Sequence, residues 1–177
     1  SISPVGNDVQ SFWESLKNGV CGIEFIEEFL SDDLPVKIAA RVKDFEPERY
    51  EIDKAFVRKQ DLFSVYAIAA AYQAVKDSGI RSEGEGANID PFRLGVYFGS
   101  GVGGFETIFK EISKMLEDPS GRWVSPLFVP SMIGNIAAGN IAIKFGAKAS
   151  CLNIVTACAS STHSIGEACR AIQHGYC

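Results

Sequence analysis

The chain has 177 residues, 46% of them hydrophobic, 22% charged and 11% aromatic, the composition of a globular domain able to bury a sizeable core. Lys and Arg number 17 against 22 Asp and Glu, a net charge of −5, so no global basic field favours nucleic acid or an anionic membrane surface. No apolar run approaches the roughly 20 residues of a spanning helix, and no basic start, apolar run and small-residue cleavage site mark a signal peptide.

In chain order, Asn7 or Asp8 caps a first helix with Phe12, Trp13 and Leu16 on one face, ending at Gly19. Residues 36–42 alternate weakly and predict a strand. Over 61–78, Phe63, Ala67, Ala70, Ala71, Ala74 and Val75 recur at helical spacing, and Gly79 ends the run. Such small residues predict close packing, against a sheet. A polar loop at 81–91 leads into a buried strand at 94–98, a glycine turn at 99–104 and an amphipathic helix at 105–117. Residues 119–130 read as a loop, 131–146 as one small-residue helix and 151–155 as a strand. A tight bend at Thr156-Ala157-Cys158 follows, then a helix from Ala159 to His174 with Gly175 as its left-handed cap. This alternation predicts an α/β fold with a mainly parallel sheet covered by helices. No composition shift marks a domain boundary, and both ends read as cut: the chain opens on a strand exit and stops two residues after a helix cap.

Five cysteines (Cys21, Cys151, Cys158, Cys169 and Cys177), odd in number and without a C-x-x-C pair, argue against a disulfide framework or a zinc site and for a reducing cytoplasm. Cys158 stands apart. A strand running into a bend of small residues and then a helix puts it at a helix N-terminus, where the macrodipole and free amides favour a thiolate, the reactive form. The same amides can receive an oxyanion. Position alone equally admits a core cysteine behind a buried strand. His163 follows Cys158 by five residues, so their side chains diverge by about 140° on a helix, and a packed, hydrogen-bonded histidine is the better reading. His174, in the last turn, reads as a cap. Gly99-x-Gly101-x-x-Gly104 formally fits a dinucleotide fingerprint, yet the next element is a helix rather than a second strand. A turn needing positive φ, or a flexible loop lining a pocket with Val102 as its bulky side chain, are the other readings.

Val155-Thr-Ala-Cys-Ala-Ser-Ser-x-His-Ser-Ile-Gly166, followed by Glu-Ala-x-Arg-Ala-Ile-x-x-Gly175, closely resembles the active-site segment of the β-ketoacyl-acyl carrier protein synthase II family of thiolase-fold condensing enzymes. Phe128-Val-Pro-Ser131, Asn135-Ile-Ala-Ala-Gly139, Gly99-Ser-Gly-Val-Gly-Gly104, Phe63-Ser-x-Tyr-Ala-x-x-Ala70, Asp77-Ser-Gly79, Ile2-Ser-Pro-Val-Gly6 and Phe12-Trp-Glu-x-Leu16 extend the match over essentially the whole chain. The resemblance implies a thiolase-like layered α-β-α architecture, with residues 1–177 forming a truncated N-terminal domain, most of the first of two similar halves.

It also implies decarboxylating condensation of acyl and malonyl carrier proteins in fatty acid elongation, through an acyl-cysteine on Cys158. Cys158 would also donate one oxyanion amide, while two histidines, a lysine and the second oxyanion amide come from the other half. No cofactor or metal is implied. Val102 matches a residue gating the acyl pocket, and Phe128 one that the partner of a homodimer contributes to it. Arg58, Lys59 and Arg122 fall near positions where acidic carrier protein docks; a solvated charged face is the alternative. The 151–155 strand and the 131–146 helix resemble the family's dimer interface. A chain-length-factor-like partner subunit typically lacks the cysteine. Thiolases, coenzyme A-dependent starter synthases and polyketide ketosynthases share the fold, and a nucleotide-binding oxidoreductase built on the 99–104 turn is the reading from another class.

Overall fold

The computed structural model describes residues 1–29 and 34–177, which form two compact units, Ser1–Glu46 and Pro47–Cys177. In the first, Asp8 is the helix cap. Its carboxylate accepts the Ser11 N–H at 2.7 Å, and the Ser11 hydroxyl accepts the Asp8 N–H at 3.3 Å, a capping box opening α1 (Val9–Lys17). Gly19 follows the helix at φ +65°, as its position predicts. The strand expected over 36–42 contracts to β2 (Ile38–Ala39), paired antiparallel with β1 (Glu24–Phe25), for which the sequence carries no alternation signal. Ile26, beside the pair, is fully buried, and its N–H bonds the Lys37 carbonyl at 2.9 Å.

The second unit holds the remaining elements. Helix α2 (Lys54–Lys59), capped by Asp53, has only six residues, too few to show an apolar period. Helix α3 (Leu62–Ser78) begins after Asp61 and ends at Gly79 in the left-handed conformation, φ +69°. Its buried residues are Ser64, Val65, Ala67, Ile68 and Ala69, whereas Ala74 is exposed. The helix packs on another helix, α6 (Ile136–Lys144), instead of on a sheet. The reason is polar. Asn140 of α6 donates to the Ser64 hydroxyl at 2.9 Å and to Gln60 at 3.1 Å, so a serine occupies the contact face without an unsatisfied group.

Strand β3 (Val96–Gly99) leads through the glycine turn into α4 (Phe105–Glu117), within the expected bounds. The helix expected over 131–146 is broken in two, α5 (Phe128–Met132) and α6, with Ile133 extended at ψ 134° between them. The Met132 carbonyl leaves the helical ladder because it accepts the Gly104 N–H at 2.9 Å. Strand β4 (Cys151–Ile154) pairs parallel with β3, from Val96↔Cys151 to Gly99↔Ile154. Both strands carry α6 and α7 (Ser160–Gln173), giving the expected parallel α/β arrangement. No helix among the described residues is long and apolar enough to cross a membrane.

One buried carboxylate joins two helices. Asp61 Oδ1 accepts the Phe63 N–H at 3.3 Å in the first turn of α3, and Oδ2 accepts the Thr107 N–H at 2.8 Å in the first turn of α4. Each cap stabilises by about 1 kcal/mol. Asp61→Ala is therefore expected to lower unfolding free energy by about 2 kcal/mol, with Asp61→Asn intermediate, read from chemical denaturation. An unchanged midpoint would show that the two helix starts do not depend on it.

Candidate active site

The segment from β4 into α7 is bent where the sequence predicts. Thr156 (φ −140°, ψ 45°) leaves the strand, and Ala157 sits at φ +49°, a left-handed conformation that costs a non-glycine residue about 1 kcal/mol or more. Ser160 holds it there. Its buried hydroxyl accepts the Thr156 N–H at 2.9 Å and donates to the Ala157 carbonyl at 2.7 Å. Ser164 donates in turn to the Ser160 carbonyl at 2.9 Å. Cys158 is thereby exposed in the middle of a 3-10 turn (Ala157–Ala159), immediately ahead of a 14-residue helix that has no side-chain cap. The clamp by Ser160 was not read from the sequence. Its only signal there is a hydroxyl residue opening a helix.

The glycine turn fixes the bend from outside. A Cβ on Gly99 would lie 2.8 Å from the Ser160 carbonyl carbon and oxygen. On the other side, Gly103 (φ +87°) and Gly104 approach the backbone of Ser131, Met132 and Gly134. This counts against the dinucleotide reading. Protein fills the space beside Gly99 and Gly104, although Gly101 is open, and at the start of α4 the Thr107 amide already donates to Asp61. Val102 rides on this turn, 64% exposed.

Neither histidine is hydrogen-bonded to Cys158 among the described residues. His163 Nε2 lies 3.6 Å from Glu167, which also pairs with Arg170 at 3.0 Å. His174 is the C-terminal cap residue of α7, its ring 6.2 Å from that of Tyr176. Desolvation pushes the pKa of the Cys151 thiol up.

A cleft of about 570 Å³ lies between α2, α3, α4 and α5. Arg58 and Lys59 line it together with Phe128, and so does Lys110, which sequence reading missed for want of a local motif. Arg58 and Lys59 have no acidic partner among the described residues. The cleft's buried acids are committed elsewhere, Asp61 to its two caps and Glu111 to Lys114 (2.6 Å) and the Ser125 N–H (2.7 Å). Those two donors hold the Glu111 carboxyl below its ordinary range, Lys114 first. Arg122 stands apart from the cleft lining. Its Nε is 2.7 Å from Asp118, and its guanidinium lies 5.2 Å from the centre of the Trp123 ring. Cys158 and Val102 do not line the cleft either.

The family model for "Beta-ketoacyl synthase, N-terminal domain" matches residues 1–177. The chain belongs to the beta-ketoacyl synthase family. It is 43% identical over 175 residues to "3-oxoacyl-[acyl-carrier-protein] synthase 2" of Staphylococcus aureus (strain N315), covering 99% of this chain and 41% of that protein. The Vibrio cholerae (strain ATCC 39315) protein of the same name is 43% identical over 174 residues, covering 98% and 41%. The chain thus spans about two fifths of the length of these relatives. A beta-ketoacyl synthase from Burkholderia phymatum STM815 superposes with a TM-score of 0.80 at 25% identity, over 99% of this chain and 42% of that one. The ketosynthase complex of a type II PKS, solved with its acyl-carrier protein, superposes at 0.78 and 26%, over 98% and 44%. The fold is accordingly the thiolase-like fold of ketosynthases, represented here by its N-terminal part.

Gly99→Ala tests the outer support of the bend. The added methyl has no room, and relief costs about 1–3 kcal/mol of backbone displacement. The expected result is slower alkylation at Cys158 with Cys21 unaffected. An unchanged Cys158 rate would show that the contact with Ser160 does not set the bend.

Proposed function

We propose that this chain supplies the nucleophile half of a β-ketoacyl-acyl carrier protein synthase, an acyltransferase of fatty acid elongation, and that residues 1–177 act as its N-terminal domain. The observation that carries this is the exposed Cys158, held by a strained Ala157 and a buried Ser160 at the start of α7. Strain at such a position, maintained by surrounding bonds, belongs to functional sites. The names of the 43%-identical relatives support the substrate class.

In the reaction, the Cys158 thiolate attacks the thioester carbonyl of an acyl carrier protein. The carrier thiol leaves, and the acyl group rests on sulfur. Malonyl carrier protein then binds and loses carbon dioxide. The resulting carbanion attacks the acyl carbonyl, Cys158 departs as thiolate, and the 3-oxoacyl carrier protein is released. The Cys158 amide donates one oxyanion bond. With His163 turned to Glu167 and His174 at a helix end, the groups that assist decarboxylation come from outside these residues, and the 177 residues alone do not turn over.

Val102 gates the acyl pocket from the glycine turn, and Phe128 reaches that pocket from the partner of a homodimer. Exposed Leu152 and Val155 at β4, and Ile143 on α6, support a dimer formed along these elements. Acidic carrier protein docks at Arg58 and Lys59, which have no acidic partner among the described residues, with Arg122 contributing from its loop. The free cysteines support a cytoplasmic setting. The likeness to a type II PKS ketosynthase favours polyketide condensation as the second reading, which would use the same half-site.

Site-resolved alkylation of all five cysteines with iodoacetamide from pH 5 to 9 tests the nucleophile. Cys158 is expected to react first, with Cys151 lagging. In the natural polypeptide carrying this segment, Cys158→Ala is expected to cut condensation on the order of 1,000-fold or more. Transfer of a labelled acyl group to the Cys158→Ala protein would place the nucleophile elsewhere. Turnover by residues 1–177 alone would overturn the assignment of the remaining chemistry to other segments.

A further inference from the structure

Glu111 is a charged residue buried in α4, only 4% exposed. A buried carboxylate is costly unless it is paired and hydrogen-bonded, and both oxygens are in use. One accepts the Lys114 ammonium at 2.6 Å, and the other reaches 14 residues along the chain to accept the Ser125 N–H at 2.7 Å. Ser125 passes the constraint on. Its hydroxyl accepts the Leu127 N–H at 3.1 Å, and its carbonyl accepts the Phe128 N–H at 2.9 Å. Helix α5 is five residues long and receives no side-chain cap from Leu127, so Ser125 satisfies the amides at its start. The far end of α5 is fixed separately. Ser131 donates to the Lys59 carbonyl at 2.7 Å, and the Met132 carbonyl accepts the Gly104 N–H. Glu111, Ser125 and Phe128 all line the same cleft.

We propose that Glu111 is a positioning residue for Phe128, acting through Ser125, and so tunes the acyl length the enzyme accepts. This rests on the reading of Phe128 as a wall of the acyl pocket. The strut has a rigid end at Ser131 and Met132 and an adjustable end at Ser125. Releasing Ser125 lets the start of α5 turn, and the Phe128 ring moves with it. Glu111 touches no substrate.

The test is the ratio of kcat/KM for a long-chain against a short-chain acyl carrier protein, measured on the natural polypeptide that carries these residues. Phe128→Ala is expected to shift this ratio about tenfold. Glu111→Gln, which keeps the shape but loses the charge facing Lys114, is expected to shift it several-fold in the same direction. The double variant should go no further than Phe128→Ala. Ser125→Ala keeps the Glu111 bond, loses the acceptor for Leu127, and is expected to act like Glu111→Gln; it decides the matter if Glu111→Gln fails to fold. Faster hydrogen exchange at the Leu127 and Phe128 amides should accompany the shift. No shift in Phe128→Ala would overturn the reading of Phe128, and this one with it. A shift in Phe128→Ala, beside unchanged or uniformly lowered kcat/KM in Glu111→Gln and Ser125→Ala, would overturn the positioning role alone.

Discussion

Backbone packed directly on backbone at the 99–104 turn fixes where the rest of the site stands. Gly99 lets β3 close on the carbonyl of Ser160, and Gly103 and Gly104 let the same turn close on Ser131, Met132 and Gly134. Side chains at these positions would separate the segments by the width of a methyl group or more. The first contact places the start of α7, and with it the bend that exposes Cys158. The second draws the Met132 carbonyl out of its helix and separates α5 from α6. One turn therefore sets both Cys158 and the helix bearing Phe128, with Val102 exposed between the two contacts.

Two buried carboxylates complete this frame. Asp61 closes the starts of α3 and α4, and Glu111 ties α4 to the loop that leads into α5. Asp61 accepts two backbone N–H groups and Glu111 one, groups that would otherwise lack a partner. Their commitment has an electrostatic consequence. The buried acids of the cleft are occupied by amides and by Lys114, and neither Arg58 nor Lys59 has an acidic partner among the described residues. Arg122 differs because its own loop supplies Asp118, a carboxyl held low first by Ser120 and then by Arg122. A chain of net charge −5 thus presents two neighbouring cations without an acidic partner among the described residues.

What the sequence made legible was local. The bounds of α4, the caps at Asp8 and Gly79, and the bend at Thr156-Ala157-Cys158 each follow from a few neighbouring residues. What it hid was settled by distant partners. Within 131–146 only Gly134-Asn135 hints at a break, and a distant partner, the Gly104 amide bonded to the Met132 carbonyl, settles it. Apolar spacing assigned the alanines of α3 to a sheet, but Asn140 makes Ser64 a core residue and turns that face toward α6. The β1–β2 pair is two residues long, below the length at which alternation can be read. At the site the division is the same. Cys158 was visible from its place between strand and helix. The grouping of Arg58 and Lys59 with Lys110, the separation of Arg122, and the reach of Glu111 to Ser125 all depend on how α2, α4 and the loop after α4 meet.

The choice of alanine at position 157 shows how the bend is kept single-valued. Glycine would adopt φ +49° freely, but it would also loosen the residue before Cys158. Alanine resists that conformation, at a cost of about 1–3 kcal/mol. The two hydrogen bonds of Ser160 contribute about 1 kcal/mol each, comparable to the strain they oppose. The balance is close, so the bend also depends on Ser160 being unable to move away. Gly99 prevents that movement by bringing β3 against its carbonyl, and the Ser164 hydroxyl bonds the same carbonyl from within α7. Strain, clamp and backbone contact together leave Cys158 one position, ahead of helix amides that no side chain occupies. That is the placement the proposed acyl-accepting role of Cys158 calls for.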